Sequence, residues 1–95
     1  MQSSTSLYLT LETITEINNT CEKKKNFGDV ILLCFQKFKK SDIKKIKELK
    51  VNSQKAARQV YFRDGSLLEE IKTVAESFDM NTSMFIEKMW RLYHA

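Results

Sequence analysis

The chain has 95 residues, a net charge of +4 and an apolar fraction of 42%, enough for one compact unit and too little for a second independent core. No apolar run approaches the roughly 20 residues that span a bilayer, and the opening MQSSTS has neither the positive nor the apolar region of a secretory leader. A protein of the cytoplasm, not of the membrane, is expected, with Cys21 and Cys34 as buried thiols in place of a disulfide scaffold.

Proline is absent and glycine occurs only at Gly28 and Gly65, so helices should dominate. Charge is uneven. Lysines crowd residues 23–25 and 37–50, while acids gather at Glu12, Glu16 and over residues 64–79. The net charge is compatible with a polyanionic partner, and the asymmetry points to nucleic acid or a membrane surface.

Along the chain, SLYLTL at residues 6–11 alternates strictly, with Leu7, Leu9 and Leu11 on one side and Ser6, Tyr8 and Thr10 on the other. A period of two predicts a half-buried strand. Thr13 is the predicted N-cap of the next element, with Glu16 three residues on as in a capping box. Ile14, Ile17 and Cys21 recur at helical spacing, and the helix should stop in the Lys-Asn-Phe-Gly stretch at Gly28. Asp29 can cap a second helix from Val30 to about Lys39, apolar nearly all round and therefore buried on most sides.

Residues Lys40–Ala57 read as a lysine-rich helical linker, with Ser41 as a cap and Ile43, Ile46 and Leu49 along one side. A lysine-rich face of this kind is more often solvated than a binding site; where it does touch DNA it supplies non-specific, salt-sensitive affinity. The first pattern then returns. Gln59–Arg63 alternates, with Val60 and Phe62 opposite Gln59, Tyr61 and Arg63. Asp64, Gly65 and Ser66 form a turn. Leu67, Leu68, Ile71, Val74, Ala75 and Phe78 make a helical stripe. Asn81 caps a last helix through Met84, Phe85, Ile86, Met89, Trp90 and Tyr93. Tyr8 matches Tyr61 and Phe27 matches Met80 at one offset, so the pattern repeats over the chain. Residues 1–39 and 58–95 are the two units.

Each unit resembles the ribbon-helix-helix fold of the MetJ, Arc and CopG repressors. The likeness rests on SLYLTL and its two helices, then on the Gln-Val-Tyr-Phe-Arg strand and its two helices. The Met-Asn-Thr-Ser-Met-Phe-Ile turn at residues 80–86 is near the family's usual entry into the second helix. The resemblance implies a mainly α fold with a short two-stranded antiparallel ribbon made by two interlocking units, which can pair within one chain as a pseudo-dimer or by two chains swapping halves. It also implies a transcriptional regulator of double-stranded DNA; because one ribbon reads only a short site, several copies side by side on the DNA are expected. Small tandem regulators of this style resemble those of archaeal viruses and conjugative plasmids.

A ribbon of this kind fits the major groove of B-DNA. If the leucines, Val60 and Phe62 face the core, then Ser6, Tyr8, Thr10, Gln59, Tyr61 and Arg63 face the bases. Arg63 suits guanine and Gln59 suits adenine. By the resemblance, the N-termini of the second helices hold phosphates, at Asn81, Thr82 and Ser83 in the second unit and at Gly28 and Val30 in the first. Asp29 departs from that pattern, because its charge repels a phosphate.

An enzyme is not expected: there is no glycine-rich phosphate loop, no metal-ligand spacing, no activated nucleophile, and no cofactor is implied. His94 stands alone near the terminus. The other class of function is a helical module that binds a protein through Met84–Tyr93 without nucleic acid.

Overall fold

The structure, a computed structural model, describes residues 3–21, 26–50 and 55–94. In chain order the elements are β1 (Ser3–Thr10), α1 (Leu11–Thr20), α2 (Phe27–Phe35), a 3₁₀ turn (Lys40–Asp42), α3 (Ile43–Glu48), β2 (Lys55–Phe62), α4 (Gly65–Ser77) and α5 (Thr82–His94). The molecule is mainly helical with one two-stranded antiparallel sheet, as expected. Among the described residues no helix is long and apolar enough to cross a membrane.

The strands pair with Ser3 opposite Phe62 and Thr10 opposite Lys55. Leu7, Leu9, Val60 and Phe62 are all buried on the inner face. Four such side chains cannot bury themselves in a ribbon of two strands, and the helices supply the second layer. α5 packs across β1 and α2 across β2, so the last helix of each half covers the strand of the other. α2 and α5 also pack on one another, joining both halves through Ile31, Phe85, Ile86, Met89 and their neighbours in one core.

Local chemistry fixes the helix ends, in places other than expected. α1 starts three residues early: Thr10, not Thr13, is its N-cap, and the Thr10 hydroxyl accepts from the Thr13 amide at 3.2 Å. Glu16 is not part of that cap. Its carboxylate accepts from Trp90 Nε1 at 2.8 Å. α1 ends at Cys21, before the expected stop. Lys23, Lys24 and Lys25 lie outside the described residues.

α2 is capped by Asn26. Asn26 Oδ1 accepts from the Asp29 amide at 2.8 Å, and Asp29 Oδ2 accepts from the Asn26 amide at 3.2 Å, a reciprocal box in which Asp29 is the third helical residue. Gly28, read from the sequence as a helix stop, sits instead in the first turn of α2. The reason is contact, since a Cβ there would lie 2.3 Å from the Tyr61 carbonyl oxygen. α2 stops at Phe35, short of Lys39. The chain then turns so that Phe38 stacks on Phe35 and meets Phe85 edge-on at 5.2 Å.

Asp64 caps α4, accepting from the Ser66 and Leu67 amides. The Ser66 hydroxyl, chiefly, holds its carboxyl below the ordinary value. α4 closes with Asp79 at φ 58°, while the Met80 amide reaches back to the Ala75 carbonyl, the left-handed helix stop that glycine usually fills. Asn81 caps α5 as expected, accepting from the Met84 amide at 2.7 Å.

The predicted linker is shorter than its sequence suggested. α3 buries Ile46 against α5, but its N-cap is Asp42, whose side chain makes no capping bond to the helix, and Ser41 lies in the preceding 3₁₀ turn. β2 begins at Lys55, four residues before the alternation at Gln59, because β1 continues the pairing through Ala56 and Ala57.

Candidate nucleic-acid interface

An antiparallel ribbon has two faces, and opposed residues share one. Thr5 and Val60, Leu7 and Arg58, and Leu9 and Ala56 turn inward. Ser4 and Tyr61, Ser6 and Gln59, and Tyr8 and Ala57 turn outward and are exposed, and the exposed Lys55 extends the row opposite Thr10. Four of the six predicted base-reading residues thus share one open face. Tyr8 is 58% and Tyr61 43% exposed. Burial normally favours aromatic rings of this size by a few kcal/mol, so two on a small ribbon form a surface suited to contact.

The centre of this face is tied across the strands. Ser6 Oγ donates to Gln59 Oε1 at 2.9 Å. Ser4, Lys55 and Ala57 complete the face. Sequence reading missed them because the alternation was read from Ser6 and Gln59, and only the register brings the outer pairs into line.

Thr10 does not join the others. It is 1% exposed, caps α1, and donates its amide to Glu87 Oε1 at 2.7 Å. The strand ends there and the chain turns inward, which overrides the period-two expectation. Arg63 lies just past β2, 60% exposed along its side chain, with Nε 3.4 Å from Asp29 Oδ2. It stands at the end of the ribbon, beside the start of α2, and not in the outward row of β2.

The two helix N-termini differ. Beside α5, residues Thr5–Tyr8 of β1, Lys55, Asn81, Thr82 and Ser83 line an open cleft of about 330 Å³. Ser83 Oγ accepts from the Tyr8 amide at 3.0 Å, fixing the strand edge to the helix. At α2, Gly28 and Val30 are buried, and the Val30 amide bonds to the Asn26 carbonyl. That end is closed by its own capping box and by Tyr61, so the two residues proposed there for phosphate contact do not face solvent.

A polar cluster unforeseen in the sequence lies behind the ribbon. Glu87 is fully buried and accepts from the Thr10 amide, the Thr10 and Thr13 hydroxyls and Arg91 Nε. Arg91 bonds Glu12 as well, at 2.7 Å, and chiefly that bond holds its guanidinium above its ordinary value. The one sequence signal was a glutamate inside the apolar stripe of α5, four residues from an arginine. Arg58, facing inward, lays its guanidinium 4.5 Å from the centre of the Phe27 ring, a cation–π arrangement.

Among the described residues no group of three or more His, Cys, Asp and Glu side chains is gathered for a metal ion. No protein-family profile matches the chain, and no curated protein or solved structure matches it significantly.

Proposed function

We propose that this chain is a sequence-specific double-stranded DNA-binding regulator of transcription, a tandem ribbon-helix-helix pseudo-dimer that lays β1 and β2 in the major groove. The observation that carries the reading is the outward row of Ser6, Tyr8, Gln59 and Tyr61 on a ribbon whose other face is core. The crossed packing of α5 on β1 and α2 on β2 supports the interlocked arrangement. A two-stranded ribbon is narrow enough for the major groove, where each base pair presents a distinct pattern of donors and acceptors. Net charge +4 favours approach to phosphates.

One ribbon covers few base pairs, so affinity and specificity come from several copies side by side on the DNA. The compartment is wherever that DNA lies, the cytoplasm or nucleoid of a cell. The competing reading, a protein-binding module built on Met84–Tyr93, has little surface to use, because Phe85, Ile86, Met89 and Trp90 of that helix are inside the core.

The test is selection of bound duplexes from a random-sequence pool at about 150 mM salt, near physiological ionic strength. A short enriched motif is the expected result. Retention without a motif would mean a phosphate-driven architectural binder, and no retention would remove DNA from the reading.

A further inference from the structure

The middle of the ribbon is made of two different residues. Ser6 and Gln59 oppose one another in the ladder. At the offset that carries Tyr8 onto Tyr61, and the buried Leu7 and Leu9 onto the buried Val60 and Phe62, Ser6 also falls on Gln59. The local two-fold axis of the strand pair therefore passes between these two side chains. Two identical strands would have to present the same residue twice at that axis, and their site would share the symmetry. Here a hydroxyl stands on one side of it and a primary amide on the other.

Their mutual bond sharpens the difference. Ser6 Oγ donates its one proton to Gln59 Oε1, which leaves serine as an acceptor and engages the amide oxygen. What Gln59 has left to offer is mainly its two amide N–H donors. An unrestrained glutamine suits adenine, using oxygen toward N6–H and nitrogen toward N7. One whose oxygen is already occupied suits guanine, whose N7 and O6 are both acceptors. The asymmetry continues outward, with Ser4 where β2 has Ala57, and Asp29 in the first turn of α2 where α5 carries no charge.

We infer that the chain reads a non-palindromic duplex in one fixed polarity, set at the central base pair by Gln59 donating to guanine, with Ser6 as the residue that positions the amide. This rests on the ribbon being a reader of DNA. The bond orients the one side-chain amide that the described residues place on the outward face, so the chemistry of the middle of the site follows from it. The sequence alone pointed to adenine. The cross-strand bond, visible only once the register is known, changes the expected partner.

The experiment is the random-pool selection run in parallel on the wild-type chain and on Ser6→Ala, with circular dichroism to verify equal helix content. Both positions are exposed, so the variant should keep the fold. Expected for wild type is a motif without dyad symmetry, with guanine over adenine at its centre on one strand. In Ser6→Ala the amide oxygen is released, and the guanine-over-adenine preference should fall roughly tenfold or reverse while DNA is still retained, the scale set by one side chain's base discrimination. A palindromic wild-type motif overturns the inference and leaves DNA reading intact. A centre unchanged in Ser6→Ala overturns the positioning role. Failure of the wild-type chain to retain DNA removes the DNA-reading function, and the inference with it.

Discussion

Glu87 accepts the backbone amide of Thr10 at 2.7 Å, from a carboxylate sealed off from water. Four residues before it on α5, Ser83 takes the amide of Tyr8. Four helix residues advance about 6 Å and two strand residues about 6.8 Å, so side chains on a helix can follow the edge of a strand. β1 has one strand neighbour, and α5 supplies the partners that a second neighbour would have given.

Removing the acceptor should therefore be costly. Glu87→Ala leaves the Thr10 amide, the Thr13 hydroxyl and Arg91 each short of a partner in a closed site, a loss of about 3–5 kcal/mol. Glu87→Gln keeps an acceptor and should lose about 1–3 kcal/mol. Urea unfolding of the three proteins checks the order, and equal stability of Glu87→Ala and wild type would show that the cluster holds nothing.

Two glycine substitutions should act in opposite directions. Gly28→Ala gains about 1 kcal/mol of helix propensity. It also forces a methyl to within 2.3 Å of the Tyr61 carbonyl, and overpacking of this kind costs about 1–3 kcal/mol, so the variant should be less stable. Asp79 sits at φ 58°, where a side chain costs about 1 kcal/mol or more and glycine does not. Asp79→Gly should raise stability by about 1 kcal/mol. Thermal melts of both variants read the signs directly.

Alkaline pH should loosen the packing of α5 on the linker. Burial, then the hydrogen bond to Asp42 at 2.7 Å, pushes the Tyr93 hydroxyl up to about 12 from an ordinary 10.0. The folded state therefore holds this proton longer than the unfolded one. The contribution is complete below about pH 10 and is lost as pH rises toward about 12. Urea midpoints measured across this window should fall for the wild type and fall less for Tyr93→Phe.

Lys55 and Arg63 should fail differently on DNA. Lys55 lies at the mouth of the cleft beside α5, and Lys55→Gln should weaken all sequences alike, reducing the salt-dependence slope by about 1 in log–log form. Arg63 stands at the end of the ribbon with its side chain 60% exposed, and a role in base reading requires it to leave Asp29. Arg63→Ala should relax discrimination by about 1–3 kcal/mol at one base pair. Binding isotherms at several salt concentrations on matched and mismatched duplexes separate the two. An unchanged mismatch penalty in Arg63→Ala would remove it from the reading surface.

The strands and helices could be read from the sequence because their signal is periodic. Leu7 and Leu9 alternate, the stripe from Leu68 through Ile71 to Ala75 repeats at helical spacing, and each face is buried as its period requires. Thr10 could not be read this way. Its place in the alternation is outward, but its hydroxyl is where α1 begins, and capping chemistry outweighed strand periodicity over the last residue. Gly28 misled for a related reason: a glycine can mark a helix end or a close approach, and only Tyr61 across the fold decides which. The outward face was half legible. Its members in β2 are visible by type, whereas the pairing of Ser6 with Gln59 depends on register, which no local pattern encodes.

The crossing of the last helix over the first strand also governs when this protein can fold. The amides of Tyr8 and Thr10 find their side-chain partners 75 and 77 residues later, and Leu7 and Leu9 face a core finished by Phe85 and Met89. A growing chain emerging from the ribosome has nothing durable to offer its own beginning until its end has been made. Assembly is thus a single late event of high contact order. A chain cut between the halves would yield two open-edged pieces that recover the fold only by finding each other.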